Sequence, residues 1–351
     1  MGPPAAVVFD IGNVLVGWDP EATFDRAIGP QARARLFAEV DLAAMNLEVD
    51  RGRRRVITPR GGIPYASLVL ATGARPRRIV FPGSAPRPQA VNELRDYRRL
   101  RQSIDARPGA TIAIVGAGLV GCELAEDLRA GGFSVVLVER VRRPLERLLP
   151  APLADELADR LCARGITFLP ESRIERIDAA DGGQVVQLEG GARFAADVVI
   201  SALGIGPRAE LARTAGLACG QGVIVNDQLR TGDPSIFALG DCAEHGGQLT
   251  PFVYALRAQA EVISAQLFGQ DMRYRPQSPV IIVKTPSLPL TICPPPDGSS
   301  GSWQRIEGGA EGSHFEYRSQ GQLLGYALSG SMTPRARDLE TAPSAGQKAV
   351  A

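Results

Sequence analysis

Three glycines and one acidic residue have the types and spacing that bind a dinucleotide. Gly116, Gly118 and Gly121 form a Gly-x-Gly-x-x-Gly pattern after the apolar run 111–115, and Glu139 ends the next apolar run. The first glycine permits a tight turn, the second lets backbone N–H groups approach a pyrophosphate, and the third allows a helix to pack on a strand. This pattern predicts a nicotinamide-dinucleotide site that needs no lysine.

The acidic residue also indicates which dinucleotide is bound. Glu139 can accept hydrogen bonds from a ribose 2′-hydroxyl and repels a 2′-phosphate, which favours NAD over NADP. Arg140, Arg142 and Arg143 lie nearby and weaken that inference. We therefore expect NADH, with NADPH as the alternative.

The elements around these residues alternate in the order of a doubly wound fold. An apolar strand at 111–115 leads through the glycine turn into a helix ending at Ala130, and a second strand follows at 134–139. A helix at 153–164 and a strand at 166–169 continue the alternation. Strand and helix in alternation predict a parallel sheet with helices on both faces.

Other apolar runs predict further elements. We expect an antiparallel flap from 184–188 and 197–202, and a small mixed domain within 279–330. The other predicted elements are strands at 5–16, 67–72 and 235–239, helices at 21–40, 92–104 and 253–268, and a proline-rich loop at 76–92.

Composition excludes several classes of protein. The 351 residues carry 39 Lys+Arg and 38 Asp+Glu, so no global charge favours nucleic acid or an anionic membrane. The N-terminal apolar run is too short for a signal peptide or a membrane span. Five scattered cysteines form no close pair, which predicts a reduced, cytoplasmic chain without a metal site.

Four segments in a fixed order resemble FAD-dependent pyridine nucleotide-disulfide-type oxidoreductases, in particular their rubredoxin–NAD reductase-like branch. The segments are ATGARP at 71–76, GAGLVGCELAEDL at 116–128, ALGIGPR at 202–208 and IFALGDCAE at 236–244. The C-terminal runs LPLTICPPP and LLGYALSG resemble the small terminal domain of that branch. The resemblance covers most of the chain after about residue 54.

The resemblance implies cofactors, site residues and a partner. It implies FAD as well as NAD, and it places Glu123 near the nicotinamide and the isoalloxazine as the catalytic position. It also implies a small rubredoxin-like redox protein as the electron acceptor. The further cofactor-binding residues that it implies are Thr72, Gly73, Gly204, Gly240 and Asp241.

The chain departs from this family at its start, where a first Gly-x-Gly-x-x-Gly for the FAD pyrophosphate is missing. Instead, VVFDIGNVLVGWDP at 7–20 resembles the start of a haloacid dehalogenase-like hydrolase, in which Asp10 matches the nucleophile and Gly12 replaces the usual second aspartate. The lysine and the paired acidic magnesium motif of such hydrolases do not follow. We therefore interpret the chain as a fusion joined near 50–54.

This interpretation predicts a Rossmann-type NAD-binding domain inserted in an incomplete FAD-binding domain, with a small C-terminal α+β domain. The predicted parts are an N-terminal fragment at 1–52, a partial FAD domain at 53–106 and 207–278, an NAD domain at 107–206, a C-terminal domain at 279–335 and a loose tail at 336–351.

Three functions remain open on the sequence. The leading hypothesis is hydride transfer from NADH to FAD, with electrons passed singly to a small redox protein. The second hypothesis is a non-catalytic NAD-binding fusion remnant, which explains why both the flavin site and the hydrolase site are incomplete. The third is a magnesium-dependent phosphatase that uses Asp10 as its nucleophile.

Several isolated residues have simpler interpretations. We expect His245 to cap a helix rather than to touch a flavin, and His314 to lie at the surface. Trp18 and Trp303 are expected to pack rather than to dock an acceptor, and the arginines of 51–55 are expected to form a solvated junction.

Overall fold

The computed structural model describes residues 6–10, 48–58 and 61–341, which form two compact units. The first unit comprises Met1–Arg77, Asn92–Leu94 and Ile205–Gln277, and the second comprises Arg78–Val91, Arg95–Gly204 and Ser278–Ala351. This division groups the C-terminal sheet with the glycine turn at 116–121. The five-part division predicted from the sequence stays a prediction. In the described part of the chain, no helix is both long enough and apolar enough to span a bilayer.

The elements are numbered here in chain order over the described residues. The helices are α1 (Leu94–Ile104), α2 (Leu119–Ala130), α3 (Ala151–Ala163), α4 (Glu210–Thr214), α5 (Val253–Leu267) and α6 (Ala336–Thr341), with 3-10 turns at Gly240–Cys242 and Gly330–Arg335. The first strands are β1 (Ala6–Asp10), β2 (Glu48–Asp50), β3 (Arg55–Thr58), β4 (Gly61–Pro64), β5 (Ser67–Ala71), β6 (Ala74–Pro76), β7 (Gln89–Ala90), β8 (Thr111–Val115), β9 (Ser134–Val138), β10 (Thr167–Leu169), β11 (Ile174–Ala180) and β12 (Gly183–Leu188). The later strands are β13 (Arg193–Ala196), β14 (Val198–Ser201), β15 (Ile205–Pro207), β16 (Val223–Val225), β17 (Ile236–Ala238), β18 (Ala243–His245), β19 (Gln248–Leu249), β20 (Ile281–Val283), β21 (Leu290–Cys293), β22 (Ser302–Gly309), β23 (Gly312–Ser319) and β24 (Gln322–Ser329).

The first unit is built on a parallel sheet in the order β1-β5-β17. The apolar run of β5 is buried, as expected of a strand covered on both faces, and Phe237 of β17 is 1% exposed. An antiparallel sheet of β2-β3-β4, a mixed sheet of β16-β18-β19 in which β16 and β18 are parallel, and the antiparallel pair β15-β6 complete the unit. The carboxyl ends of β5 and β17 therefore lie side by side.

The second unit contains the predicted parallel sheet, with strand order β10-β9-β8-β14-β7. Most apolar side chains of its central strands are buried, and α2 and α3 are the crossover connections that parallel strands require. The sequence prediction of a doubly wound, Rossmann-type nucleotide domain is confirmed.

The predicted antiparallel flap was wrong in one strand. The flap consists of β11, β12 and β13, whereas the run at 197–202 forms β14, which pairs in parallel with β8. Val198, Val199 and Ile200 are buried in succession, as in a central parallel strand, and do not alternate as the residues of a half-exposed flap strand would. This difference brings the loop after β14 next to the glycine turn after β8.

The C-terminal part of the second unit is an antiparallel sheet in the order β20-β21-β24-β23-β22. The tail expected to be loose from residue 336 begins instead with α6. Ala336 and Leu339 of this helix pack with Tyr326 and Leu328 of the sheet. Burial of these apolar side chains explains why the segment is helical.

The two histidines differ from expectation. His314 lies in β23 with 6% of its surface exposed, and its Nε2 is 3.3 Å from Oε1 of Glu316. His245 caps no helix, because it lies in β18 with its Nε2 3.0 Å from Oδ1 of Asp227 and its ring edge-on to Tyr274. Both assignments failed because strand pairing, which the local sequence does not reveal, decides these environments.

Trp303 follows expectation, whereas one arginine of the run 51–55 does not. Trp303 is half-buried and packs edge-on against Tyr317 at 5.4 Å between ring centroids. In the arginine run, Arg51 departs from a purely solvated role. Its Nε lies 3.3 Å from Asp233, and its guanidinium donates to the carbonyl of Gly216.

Much of the N-terminal prediction falls outside the described residues. The helix at 21–40, Gly12 and Trp18 belong to this part. Of residues 1–47 only β1 is described, and its backbone pairs in parallel with β5 so that Asp10 is opposite Ala71. The resemblance of residues 1–50 to haloacid dehalogenase-like hydrolases stays a prediction.

Candidate functional site

The glycine turn between β8 and α2 leaves room for side chains at only one of its three glycines. A Cβ added at Gly121 would lie 1.9 Å from the carbonyl oxygen of Gly116, and one added at Gly116 would lie 2.8 Å from that of Ala202. Gly116 also has a φ of +105°, which disfavours other residues. A Cβ at Gly118 meets nothing within 4 Å, so the backbone there faces open space.

The open space lies at the beginning of α2. Gly118 is its N-cap residue, no side chain caps it, and its first turn contains no acidic residue. The N–H groups of a first helical turn have no partner within the helix and carry partial positive charge. The turn therefore offers donors to an anion such as a pyrophosphate.

The carboxylate of Glu139 is fixed beside this turn. Its Oε2 accepts the N–H of Ala117 at 2.7 Å, and its Oε1 accepts the N–H of Arg140 at 2.7 Å. A carboxylate has further lone pairs, so Glu139 can still accept from hydroxyl groups. The carboxylate is thus oriented before any ribose arrives.

One of the three neighbouring arginines is neutralised by acidic side chains. Arg143 donates to Asp155 at 2.7 Å and lies 3.7 Å from Glu146. The hydrogen bond to Asp155 raises the pKa of Arg143. Arg140 and Arg142 are exposed, and they remain the positive groups that a 2′-phosphate could contact. The structure therefore weakens the case for NADPH that the sequence had left open.

The loop containing Gly204 borders the same edge of the sheet. The N–H of Ala202 donates to the carbonyl of Val115 at 2.8 Å, which places the chain after β14 beside the glycine turn. Gly204 is exposed, has a φ of +81°, and a Cβ there meets nothing within 4 Å. It can therefore let a bound dinucleotide approach the backbone closely.

Glu123 lies on α2, one turn after its start, and its carboxylate already has a partner. Oε1 accepts the backbone N–H of Lys284 at 2.8 Å. A second acidic residue of the same helix, Glu126, binds Ser287. Sequence reasoning missed Glu126, and the only available signal was its spacing of three residues from Glu123.

The residues predicted to contact flavin lie in the first unit, after β5 and β17. Thr72 is buried, and its hydroxyl donates to the carbonyl of Arg208 at 2.5 Å. Gly73 has a φ of +65°, and its carbonyl accepts the N–H of Arg208. Thr72 therefore supports the loop through this bond.

Gly240 and Asp241 form the other side of this edge. Gly240 has a φ of +73°, and its N–H donates to Oε1 of Gln259 at 2.7 Å. Gln259 is 1% exposed, so the turn is anchored to α5 from below; no motif had indicated this residue. Asp241 is half-buried beside it.

These positions fit a flavin nucleotide on the side that the structure describes. In open α/β sheets, ligands bind outside the carboxyl ends of parallel strands, which is where both turns lie. The segment directly after β1, where a diphosphate would rest in a complete flavin domain, falls outside the described residues.

Two family models match the chain. The model described as pyridine nucleotide-disulphide oxidoreductase matches residues 19–260, and the model described as rubredoxin binding C-terminal domain matches residues 274–342. The second match covers the whole antiparallel sheet from β20 to β24.

Two curated relatives have the same activity in their names. A rubredoxin-NAD(+) reductase from Alcanivorax borkumensis is 38% identical over 287 residues, which are 80% of this chain and 74% of that protein. A rubredoxin-NAD(+) reductase from Acinetobacter baylyi is 35% identical over 285 residues, covering 79% of this chain and 71% of that protein.

Solved structures share the fold. A ferredoxin reductase from Rhodopseudomonas palustris has a TM-score of 0.77 at 26% identity, covering 93% of this chain and 84% of that chain. The NADH:rubredoxin oxidoreductase from Clostridium acetobutylicum has a TM-score of 0.69 at 22% identity, covering 83% and 73%.

Proposed function

Because the chain belongs to the pyridine nucleotide-disulphide oxidoreductase family, we propose that it is an FAD-dependent NADH oxidoreductase that reduces a small rubredoxin-like protein. The observation that carries the proposal is the glycine turn, which is open at Gly118 and closed at Gly121. A match to a rubredoxin-binding domain supports the choice of acceptor. A cytoplasmic location, which the scattered cysteines predict, belongs to the same proposal.

NADH is held by the second unit. Backbone N–H groups after Gly118 bind the pyrophosphate, since the first turn of α2 has no competing side-chain acceptor. Glu139 accepts from the adenosine ribose hydroxyls, and its fixed orientation lowers the entropy lost on binding. Gly204 permits close approach of the nicotinamide half, and Glu123 retains its second carboxylate oxygen for a contact there.

FAD is held by the first unit through the turns at Thr72–Gly73 and Gly240–Asp241. When bound, FAD accepts a hydride as an electron pair and releases the electrons one at a time. The chain contributes rigid turns: the Thr72 hydroxyl and Gln259 each tie one turn to the body of the unit. Each NADH oxidised yields NAD⁺, one proton and two electrons, which reduce two one-electron acceptors.

An absorption spectrum tests this proposal directly. We expect protein purified and supplied with FAD to retain flavin bands after gel filtration, and NADH to bleach those bands anaerobically. Adding oxidised rubredoxin should restore them with two rubredoxins reduced per NADH.

The alternative of a non-catalytic remnant gives the opposite spectrum. A protein that binds NADH in calorimetry but takes up no FAD and oxidises no NADH would refute the oxidoreductase. The same experiment with NADPH measures the nucleotide preference.

A further inference from the structure

Two carboxylates on α2 bind a single turn of the C-terminal sheet. Glu123 accepts the N–H of Lys284 at 2.8 Å, and Glu126 accepts the N–H of Ser287 at 3.0 Å. The hydroxyl of Ser287 donates to the other oxygen of Glu126. Residues three apart on a helix share a face, so both carboxylates point at the turn that joins β20 to β21.

Glu126 depends on Ser287 for its hydrogen bonds. Its side chain is 1% exposed, and within the described residues no basic side chain pairs with it. A buried carboxylate is tolerated only when donors replace the lost water, and Ser287 supplies both a backbone and a hydroxyl donor. Separation of the turn from α2 would leave this charge unsatisfied.

The turn is tied to the sheet by its own hydrogen bonds and by the strands on both sides of it. The buried Thr285 hydroxyl donates to the carbonyl of Leu288 at 2.6 Å, and the N–H of Leu288 donates back to the carbonyl of Thr285 at 3.1 Å. Strands β20 and β21 pair in register immediately on both sides. Hydrogen bonds from α2 to residues 284–287 therefore also hold the sheet in place.

We propose that Glu126 and Ser287 are positioning residues that hold the acceptor-binding sheet on the nucleotide-binding helix. The inference rests on the proposed function, because it assigns the sheet of residues 274–342 to acceptor docking. Docking requires a surface in one fixed place, and a sheet released from α2 would bind the acceptor with a larger loss of conformational entropy. We call the pair Glu126–Ser287 the clamp. The clamp thus promotes reduction of the protein acceptor and has no part in the oxidation of NADH.

The proposal is tested in the full chain loaded with FAD by comparing two electron acceptors, rubredoxin and ferricyanide. In Glu126→Ala and Ser287→Ala, kcat/KM for rubredoxin should fall about tenfold, as expected for one lost hydrogen bond to a charged group. NADH oxidation with ferricyanide should stay within about twofold of wild type. Since both residues belong to one interaction, the double variant should be no worse than the poorer single variant.

Two controls accompany these variants. Asp127→Ala removes an exposed acidic side chain from the same helix and should leave both activities unchanged. Ser287→Thr keeps the hydroxyl and should restore rubredoxin reduction. If Glu126→Ala does not fold, the Ser287→Ala and Ser287→Thr pair decides the question.

An equal loss of activity with rubredoxin and with ferricyanide, or no loss of kcat/KM for rubredoxin, would overturn the proposed role of the clamp. Failure of the proposed function looks different, since wild type would then oxidise NADH with neither acceptor. In that case hydrogen exchange still tests the clamp. The amides of Lys284 and Ser287 should exchange faster in Glu126→Ala than in Asp127→Ala, and equal rates would overturn it.

Discussion

The substitution Gly118→Val should impair NADH binding without impairing folding. A Cβ at Gly118 has no protein atom within 4 Å, and its φ of −78° with ψ of −169° is extended backbone that any residue adopts. We therefore expect Gly118→Val to fold with a melting temperature within a few degrees of wild type. The added methyl groups would occupy the space through which a pyrophosphate reaches the first turn of α2.

The expected loss of affinity follows from the contacts that become impossible. Two N–H groups donating to a charged phosphate each contribute about 1.5 kcal/mol or more. Loss of both hydrogen bonds removes about 3 kcal/mol of binding free energy, which raises the Kd for NADH about 150-fold. The predicted effect is large in binding and small in stability.

The assay is calorimetric titration of NADH together with thermal unfolding of the same sample. Gly232→Val is the matched control, because an added Cβ at Gly232 likewise has nothing within 4 Å and Gly232 lies outside the unit that contains the glycine turn. A Gly118→Val protein that melts like wild type and binds NADH within about twofold of it would refute the assignment of the pyrophosphate to this turn.

Three further predictions follow from the same geometry. Gly121→Ala places a Cβ 1.9 Å from the Gly116 carbonyl oxygen, so urea unfolding should show about 1–3 kcal/mol of destabilisation, and an unchanged midpoint would contradict the packing. Glu139→Gln keeps an acceptor but removes the charge, so the ratio of kcat/KM for NADPH to that for NADH should rise about tenfold or more; a constant ratio would exclude Glu139 from ribose recognition. Burial lowers the pKa of His314 below 6.5, so the unfolded state binds more protons at acid pH and the free energy of unfolding should fall as pH decreases below 6.5. His314→Gln should flatten that slope in denaturant titrations between pH 5 and 8, and an unaltered slope would assign the effect to other groups.

Local patterns predicted the nucleotide half of the site. The glycine turn, α2 and Glu139 lie within about one βαβ unit, and each role follows from short-range geometry that the motif itself imposes. The resemblance to a known family then supplied the flavin half, since Thr72 and Asp241 lie far apart in the chain and share no local pattern.

Prediction from local sequence failed where strand pairing with distant segments decides the structure. The run at 197–202 has the composition of a strand in either sheet, and only its pairing with β8, 86 residues earlier, decides between them. His314 looks polar and exposed in its neighbourhood, yet strands on both sides bury it. Neither outcome could be obtained from spacing, because strand register depends on partners remote in sequence.

The sequence by itself predicts a dinucleotide site at residues 116–121 with Glu139 as the acid for its ribose, because the glycine spacing and the start of a helix are local features. The tertiary structure decided what the acids of α2 do. Glu123 and Glu126 meet Lys284 and Ser287 across 161 residues of chain, and a buried carboxylate finds its donors only once the sheet has folded onto the helix.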